Sequence, residues 1–289
     1  MVVVFLCINI LLFAYQRFYE KNRYTLSTDR VAQLNEYVNN VGGTIYYVIP
    51  SYYPKSQLEL GAPNVDKEVV AKRILGDMQE SRLENTTLAE RRFNENESLT
   101  FYGGEQEGLV FYKSTKSSYV PKDMTISSID KVANQYAKDL FGSDVDMEVT
   151  YRKSNQSGDV GGYFVEMNEV YKDTIIFQSY LKMKISKEGI QEAIGIRYKP
   201  IDFIGAKKNI YPFDEVIYSL MHYIENELPK TDVITPVLEK TIKDIDIGYY
   251  LIDVDQRKLV YQVEPNYRII FVDGETFFIN AYTNDITKQ

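Results

Sequence analysis

The first nineteen residues are the only strongly apolar stretch of this 289-residue chain, and they constrain its fold more than any other feature. Residues 2–15 contain no charged residue, and Asn9 is their only strongly polar one. A helix of residues 1–19 would be about 28 Å long, close to the ~30 Å hydrocarbon core of a bilayer. The stretch therefore predicts a transmembrane anchor ahead of a water-soluble body.

A cleaved signal peptide is the alternative interpretation of this stretch. Such a peptide has a basic segment before its apolar run and small residues at its cleavage site, and the sequence shows neither. The run passes instead into Tyr15, Arg17 and Tyr19, a mixture of aromatic and basic residues that is typical of a membrane interface. These flanks favour an uncleaved anchor. The positive-inside rule alone would put Arg17, Lys21 and Arg23 in the cytoplasm, so the orientation stays open at this point, as does Met1 as the true start.

Composition bounds what the body can do. Its content of 44% hydrophobic and 26% charged residues is that of a folded domain. The net charge is −8 with Lys and Arg scattered along the chain, which argues against nucleic acid as a partner. The only cysteine, Cys7, lies in the apolar run, and the only histidine is His222, so most thiol, zinc and triad chemistries lack their usual residues. We therefore predict a non-enzyme with no catalytic residue, no metal ligand and no cofactor.

The body alternates amphipathic helices with groups of strands. Residues 127–141 carry apolar side chains at the 3.6-residue period and predict a helix, and strand patterns follow within 147–198. A second helix is predicted from Pro212, and strands follow within 245–282, where Asp273-Gly274 indicates a tight turn. Local hairpins imply antiparallel pairing. The predicted fold class is α+β, with an N-terminal transmembrane helix followed by repeated helix-plus-antiparallel-sheet modules.

Domain boundaries follow from the same pattern. Residues 113–122, KSTKSSYVPK, are polar and contain Pro121, which makes them the best linker candidate. We therefore predict a transmembrane anchor at 1–19, an N-terminal α+β subdomain at 24–118, and a C-terminal domain at 123–289 that consists of two helix-plus-antiparallel-sheet units.

Few residues suggest a chemical site. His222 lies at the edge of an apolar helical stripe and is assigned no chemistry, because no second histidine or cysteine of the body can support it. The sequence at Asp253-Val254-Asp255 lacks the glycine of a calcium-binding loop and is interpreted as a hairpin turn. Glu166 and Glu169 leave open a hydrolase that uses paired carboxylates. Three glycine pairs lack a phosphate-binding frame and are interpreted as turns: Gly42-Gly43, Gly103-Gly104 and Gly161-Gly162.

One face of the predicted anchor is the candidate partner-binding site. On a helix, Asn9 shares a face with Phe5, Leu12, Phe13 and Gln16. An amide that faces lipid is costly, so it usually finds a polar group on a neighbouring helix. These five residues are therefore predicted to contact a partner helix in the membrane.

Three stretches together carry a resemblance to a known family. The apolar run is followed by Gln16-Arg17-Phe18-Tyr19-Glu20 and then by Leu26-Ser27-Thr28-Asp29-Arg30, and the chain closes on FFINAYTNDI at residues 277–286. In this order they resemble the YycI family, membrane-anchored regulators of the WalK sensor kinase in low-GC Gram-positive bacteria. The sequence differs from that family in one respect. The family has a short basic cytoplasmic segment ahead of its anchor, whereas this sequence starts within the apolar run.

The resemblance implies a single-pass protein of the cell membrane with an extracytoplasmic body. It would bind and modulate a WalK-like sensor histidine kinase of a cell-wall-related two-component system, together with a YycH-like membrane protein. The repeat of helix and strands is equally similar to PepSY-like extracytoplasmic modules. A PepSY-like module that inhibits a peptidase or binds a cell-wall ligand is therefore the alternative.

Overall fold

The computed structural model describes residues 6, 8–15, 23–46, 48–76, 82–85, 89–103, 107–155, 161–226, 240–251 and 259–288. Residues 8–15 are helical. Four longer helices follow: α1 (Thr28–Asn40), α2 (Lys67–Leu75), α3 (Ile126–Phe141) and α4 (Phe213–Asn226). The described strands are β1 (Thr44–Ile45), β2 (Lys55–Gly61), β3 (Arg82–Asn85), β4 (Ala89–Phe93), β5 (Glu97–Tyr102), β6 (Val110–Ser114), β7 (Met147–Asn155), β8 (Gly162–Tyr171), β9 (Thr174–Ser186), β10 (Gly189–Ile196), β11 (Pro200–Lys208), β12 (Thr241–Tyr250), β13 (Val260–Phe271), β14 (Thr276–Asn280) and β15 (Ile286–Lys288).

The helices begin where a side chain can accept from the free backbone amides of the first turn. Ser27 Oγ accepts from the Arg30 amide at α1, and an Asp66 carboxylate oxygen accepts from the Val69 amide at α2. At α3, Thr125 caps the first turn and Gly142, at a φ of 107°, ends the helix. Such caps satisfy groups that the helix itself leaves unpaired. The helix predicted at 127–141 and its glycine stop are confirmed.

The chain gathers into two units, each assembled from separate segments. Unit 1 comprises Met1–Gln57, Phe203–Gly248 and Glu264–Gln289, and unit 2 comprises Leu58–Asp202 and Tyr249–Val263. Units grouped by contact are not the same as domains that fold alone, so the boundaries proposed from the sequence stay predictions.

In unit 1, helices α1 and α4 share a core with strands of the C-terminal part of the chain. β13 pairs antiparallel with β14, β14 pairs antiparallel with β15, and β1 runs parallel to β12. The turn at Asp273-Gly274 joins β13 to β14, as predicted. The buried side chains include Leu34 and Val38 of α1, Ile217 and Leu220 of α4, and Tyr267, Phe271, Phe277 and Ile279 of the strands.

In unit 2, an antiparallel series runs from β3 through β4, β5, β6, β10, β9 and β8 to β7. Helices α2 and α3 supply apolar side chains to its core, among them Ile74, Ile129 and Leu140, which meet Leu99, Leu181 and Met183 of the strands. Register shifts interrupt the ladder in β7 and between β8 and β9.

The predicted fold class was wrong. Among the residues that the structure describes, no helix is long and apolar enough to cross a membrane. The strands form a mostly β arrangement with mixed pairing instead of a repeated helix-plus-antiparallel-sheet module, because β1 pairs in parallel with β12 far along the chain. The second predicted module is not self-contained either, since unit 1 includes the N-terminal segment that carries α1 and β1.

Candidate functional site

The predicted partner-binding face of the anchor is only partly described. Asn9, Leu12 and Phe13 lie in the helical segment 8–15 and are exposed, whereas Phe5 and Gln16 lie outside the described residues. Whether this face contacts a partner is not tested by the structure, so the site stays a prediction.

The two carboxylates of the hydrolase hypothesis are engaged in separate ion pairs of unit 2. Arg197 donates from Nε and Nη2 to the carboxylate of Glu169, at 2.8 to 3.1 Å. Burial raises the pKa of Glu169, while Arg197 acts in the opposite direction. Glu166 Oε2 lies 3.7 Å from Lys182 Nζ. Because each carboxylate has its own cation, the contacts are those of structural ion pairs.

Two other sequence candidates have simple outcomes. Asp253-Val254-Asp255 lies outside the described residues. Gly162 is the first residue of β8 and pairs with Ser186 of β9, so its interpretation as a turn was wrong. A Cβ at Gly162 would lie 2.8 Å from the carbonyl oxygen of Ile185, so a close approach of two strands explains this glycine.

One concave surface that the structure describes is a cleft of about 550 Å³ in unit 1. We name it the α4–β15 cleft. One wall is α4, and the other is the turn that leads into β15. Its lining residues are Tyr218, Ser219, His222 and Tyr223 of the helix and Asn284, Asp285 and Ile286 of the turn and strand.

The helical wall follows from the periodicity of α4. Phe213, Val216, Ile217, Leu220 and Ile224 are buried in the core. The cleft residues of α4 occupy the neighbouring stripe, at positions 218, 219, 222 and 223, because residues three or four apart lie on the same face of a helix.

Two tyrosines at the margin of the core are held by ring contacts. The rings of Tyr218 and Tyr37 meet edge to face with centroids 4.8 Å apart, and Tyr223 meets Phe277 in the same way at 6.4 Å. Both cleft tyrosines remain partly exposed. Each therefore presents a positioned aromatic surface with a polar tip to the cleft.

The second wall is a turn fixed by Asn280. Its side-chain Oδ1 accepts from the amides of Tyr282 and Thr283, at 2.8 and 3.2 Å. The amide of Asn284 donates to the carbonyl of Asn280 at 2.8 Å, and Asn284 has a φ of 67°. Asparagine tolerates this left-handed conformation better than most residues do. The turn thereby holds the Asn284 side chain against α4.

The Asn284 amide is only half satisfied. Its Nδ2 donates to Ser219 Oγ at 2.6 Å, whereas its Oδ1 is shielded from solvent and accepts no hydrogen bond from the described residues. Exchanging the two ends of the amide would leave Nδ2 unsatisfied instead, because Ser219 can either donate or accept. A shielded polar atom without a partner costs about 1–3 kcal/mol. Because this oxygen is shielded from solvent, a ligand in the cleft can reach it only if the Asn284 side chain moves.

Ser219, His222 and Asp285 are residue types of a catalytic triad, and all three line the cleft. None of them is hydrogen-bonded to another within the described part of the chain: Ser219 contacts Asn284, and Asp285 Oδ2 accepts from Thr283 Oγ1 at 2.5 Å. Nucleophilic catalysis by such residues relies on a nucleophile bonded to its base. The arrangement is better suited to binding, with two aromatic surfaces, a turn held by hydrogen bonds and one exposed carboxylate.

The sequence analysis considered His222 and assigned it no chemistry, and it did not predict the cleft around it. The histidine is exposed, in agreement with its assignment to the edge of the apolar stripe. The closing stretch at 277–286 had been noted only for its resemblance to a family. No local signal brings it to α4, since that contact depends on the fold of unit 1.

Comparisons with known proteins bear on the fold alone. No protein-family model matches the chain, and no curated protein matches it. The crystal structure of an uncharacterized protein from Eubacterium rectale ATCC 33656 is similar, with a TM-score of 0.56 and 11% identity over 86% of this chain and 90% of that one. The solution structure of cyanobacterial PsbP from Synechocystis sp. PCC 6803 has a TM-score of 0.21 and 12% identity, over 42% of this chain and 81% of that one, which supports no conclusion. At 11% identity the first likeness shows a shared fold, so function must be argued from the cleft.

Proposed function

We propose that this chain is a non-enzymatic regulatory protein that binds an extended segment of a partner protein in the α4–β15 cleft. The observation that carries the proposal is the cleft itself, which two positioned and partly exposed tyrosines of α4 line together with the turn that leads into β15. A peptide backbone offers both hydrogen-bond donors and acceptors, so it can bond to exposed polar groups of the turn while its side chains contact the two rings.

Strand β15 adds a second means of recognition. Its three residues pair with β14, and its other edge has no strand partner among the described residues. An exposed strand edge can accept an additional strand from another protein, with main-chain hydrogen bonds for affinity and adjoining pockets for specificity. The cleft lies at the beginning of this edge, where Tyr218 and Tyr223 could receive side chains of the bound segment.

The carboxylate of Asp285 favours a basic residue in that segment. Asp285 is exposed at the cleft, and one of its carboxylate oxygens accepts from Thr283. An exposed ion pair contributes only about 0.2–1 kcal/mol, so this charge would select among segments more than it would hold them.

The resemblance to the YycI family supports a particular partner. Its members regulate a WalK-like sensor histidine kinase together with a YycH-like membrane protein, and their bodies lie outside the cell. On this proposal the chain shifts the kinase between two states because it binds one state more tightly than the other. The sign of the shift follows from which state exposes the segment.

A direct binding assay with the full chain tests the proposal. We would measure the affinity for a purified WalK-like kinase in nanodiscs, with and without a YycH-like protein. Tyr218→Ala should weaken binding about tenfold, as expected for an aromatic residue at the centre of an interface. Tyr46→Ala is the matched control, because Tyr46 is 75% exposed in the same unit and outside the cleft. No binding to the kinase, or equal loss with both variants, would refute the proposal.

A cell-wall ligand-binding module is the second candidate, and the size of the cleft favours it. A volume of about 550 Å³ lies within the range of pockets that hold small ligands. Soluble peptidoglycan fragments would then bind the isolated chain without any kinase. The same Tyr218→Ala and Tyr46→Ala pair distinguishes binding in the cleft from binding elsewhere.

A further inference from the structure

A second feature of unit 1 is a half-buried lysine without a counter-ion among the described residues. Lys55 is the first residue of β2, and the described residues supply no carboxylate that pairs with it. Burial lowers the pKa of the Lys55 ammonium, and the nearby charge of Lys207 lowers it further. A desolvated cation that faces a like charge destabilises the folded protein unless an anion approaches it.

The fold brings further positive charge to the same corner. Ser56 Oγ donates to the carbonyl of Gly205 at 3.4 Å, so the beginning of β2 lies beside the end of β11. β11 ends in Lys207 and Lys208, and both are exposed. Neither has an ion-pair partner within the described ranges.

Tyr282 contacts two of these lysines. Its hydroxyl donates to the backbone carbonyl of Lys55 at 2.6 Å, and the Nζ of Lys208 lies 5.3 Å from the centre of its ring. Burial, together with Glu264, raises the pKa of Tyr282 to about 12, so the hydroxyl keeps its proton at neutral pH. The ring therefore lies beside the ammonium group of Lys208, while its hydroxyl bonds to the backbone of Lys55.

Glu264, an acidic residue near Tyr282, is already bonded to other groups. Its carboxylate accepts from Gln57 Nε2 at 3.0 Å and from Asn280 Nδ2 at 2.7 Å. These amide contacts fix the carboxylate without using a lysine. The three ammonium groups thus have no intramolecular anion among the described residues, in a chain whose net charge is −8.

We propose that Lys55, Lys207 and Lys208, with the ring of Tyr282 as a wall, form a binding site for a phosphate group. Lysines bind phosphate as point charges on long flexible side chains, so ammonium groups from neighbouring backbone positions can turn toward one anion with several charged oxygens. The phosphate could belong to a free anion or to the headgroup of an anionic lipid. The site shares no lining residue with the α4–β15 cleft, so it stands independently of the proposed function.

Two probes separate the sources of the phosphate. Inorganic phosphate is titrated into the full chain by calorimetry, and vesicles of phosphatidylglycerol in phosphatidylcholine are compared with vesicles of phosphatidylcholine alone by co-sedimentation. Binding of inorganic phosphate identifies a soluble anion. Binding of the phosphatidylglycerol vesicles alone identifies a lipid headgroup.

The decisive comparison uses two double variants of equal charge change. Lys207→Gln with Lys208→Gln should weaken binding of whichever probe binds by about tenfold, since charge-assisted hydrogen bonds are strong. The control is Lys131→Gln with Lys138→Gln on the exposed face of α3, and it should have no effect. Because all four lysines are exposed, misfolding of the double variants would not explain a loss of binding. Failure of both probes to bind, or equal loss in the two double variants, would overturn the proposal while leaving the cleft untouched.

Discussion

Units 1 and 2 each place polar side chains beside a hydrophobic core, but they satisfy them differently. In unit 2, buried Glu97 accepts from the hydroxyl of Tyr112 at 2.7 Å and from both the amide and the Oγ of Ser118 at 2.8 Å. Ser117 Oγ lies 3.1 Å from the same tyrosine hydroxyl. In unit 1, Asn284 has one bonded end and one shielded end without a partner.

The difference separates a structural network from a candidate binding site. A fully satisfied buried network stabilises a unique packing, whereas a half-satisfied one costs free energy in the absence of a ligand. Residues of the first kind should matter for folding and residues of the second kind for recognition. The pKa of Tyr112 fits this distinction: burial raises it, with a further contribution from Glu97, which keeps its hydroxyl a donor.

The substitution with the largest expected effect disrupts the hydrogen-bond network of unit 2. Glu97→Ala should destabilise the protein by about 3 kcal/mol, because the buried hydroxyl of Tyr112 and the two donors of Ser118 lose their shared acceptor at once. Urea unfolding followed by circular dichroism measures this change. The matched variant Glu95→Ala, at an exposed position two residues away, should shift the midpoint little. Similar midpoints for the two variants would show that the network is not structural.

This network also shows where sequence reasoning reaches its limit. The stretch at 113–122 is polar and was interpreted as a linker, yet Ser117 is buried and Ser118 bonds to Glu97. Tyr119 donates from its hydroxyl to Asp139 of α3 at 2.9 Å. The composition of a segment shows how polar it is. It does not show whether residues elsewhere in the fold form hydrogen bonds with its polar groups.

Structural features that depend on neighbouring residues were predicted correctly, whereas contacts between distant parts of the chain were not. Helix α3 and the turn at Asp273-Gly274 were predicted because caps, periodicity and turn residues act within a few positions. The parallel pairing of Thr44 with Thr241 has no local signature, since partner choice depends on the whole core. The wrong module prediction and the missed α4–β15 cleft both follow from such distant contacts.

The next largest effects are expected for substitutions of Asn284, which test the same distinction in unit 1. Asn284→Gly keeps the left-handed conformation and removes the unsatisfied amide, so the free energy of unfolding should change by less than about 1 kcal/mol. Affinity for the partner should nevertheless fall about tenfold. Kinase binding and urea unfolding of the same preparation measure the two effects. The matched variant Asn284→Ala loses the same amide but retains the backbone strain, and it should be about 1 kcal/mol less stable than the glycine variant.

A stability loss for Asn284→Gly as large as that for Glu97→Ala would remove the distinction between the two regions. Unchanged partner affinity in both Asn284 variants would instead separate the amide from recognition. The cleft would then need another explanation for its shielded Asn284 oxygen.

The smallest effect is expected for Glu90, and it tests whether the partly buried charges around Arg92 in unit 2 stabilise the fold. Burial opposes ionisation of Glu90, but hydrogen bonds from Arg92 and Lys67 prevail and lower its pKa. A folded-state pKa below the unfolded value stabilises the protein above the unfolded pKa, and this stabilisation is lost as the pH falls through the folded pKa. Glu90→Gln should therefore cost roughly 0.5–1 kcal/mol near neutral pH and progressively less in acid, in urea unfolding compared with the unsubstituted protein. The matched variant Glu148→Gln, at an exposed position on β7, should cost little at any pH. A cost for Glu90→Gln that is constant with pH would mean that the cluster around Arg92 contributes packing and not charge, which would bring it closer in kind to the apolar core than to the network of Glu97.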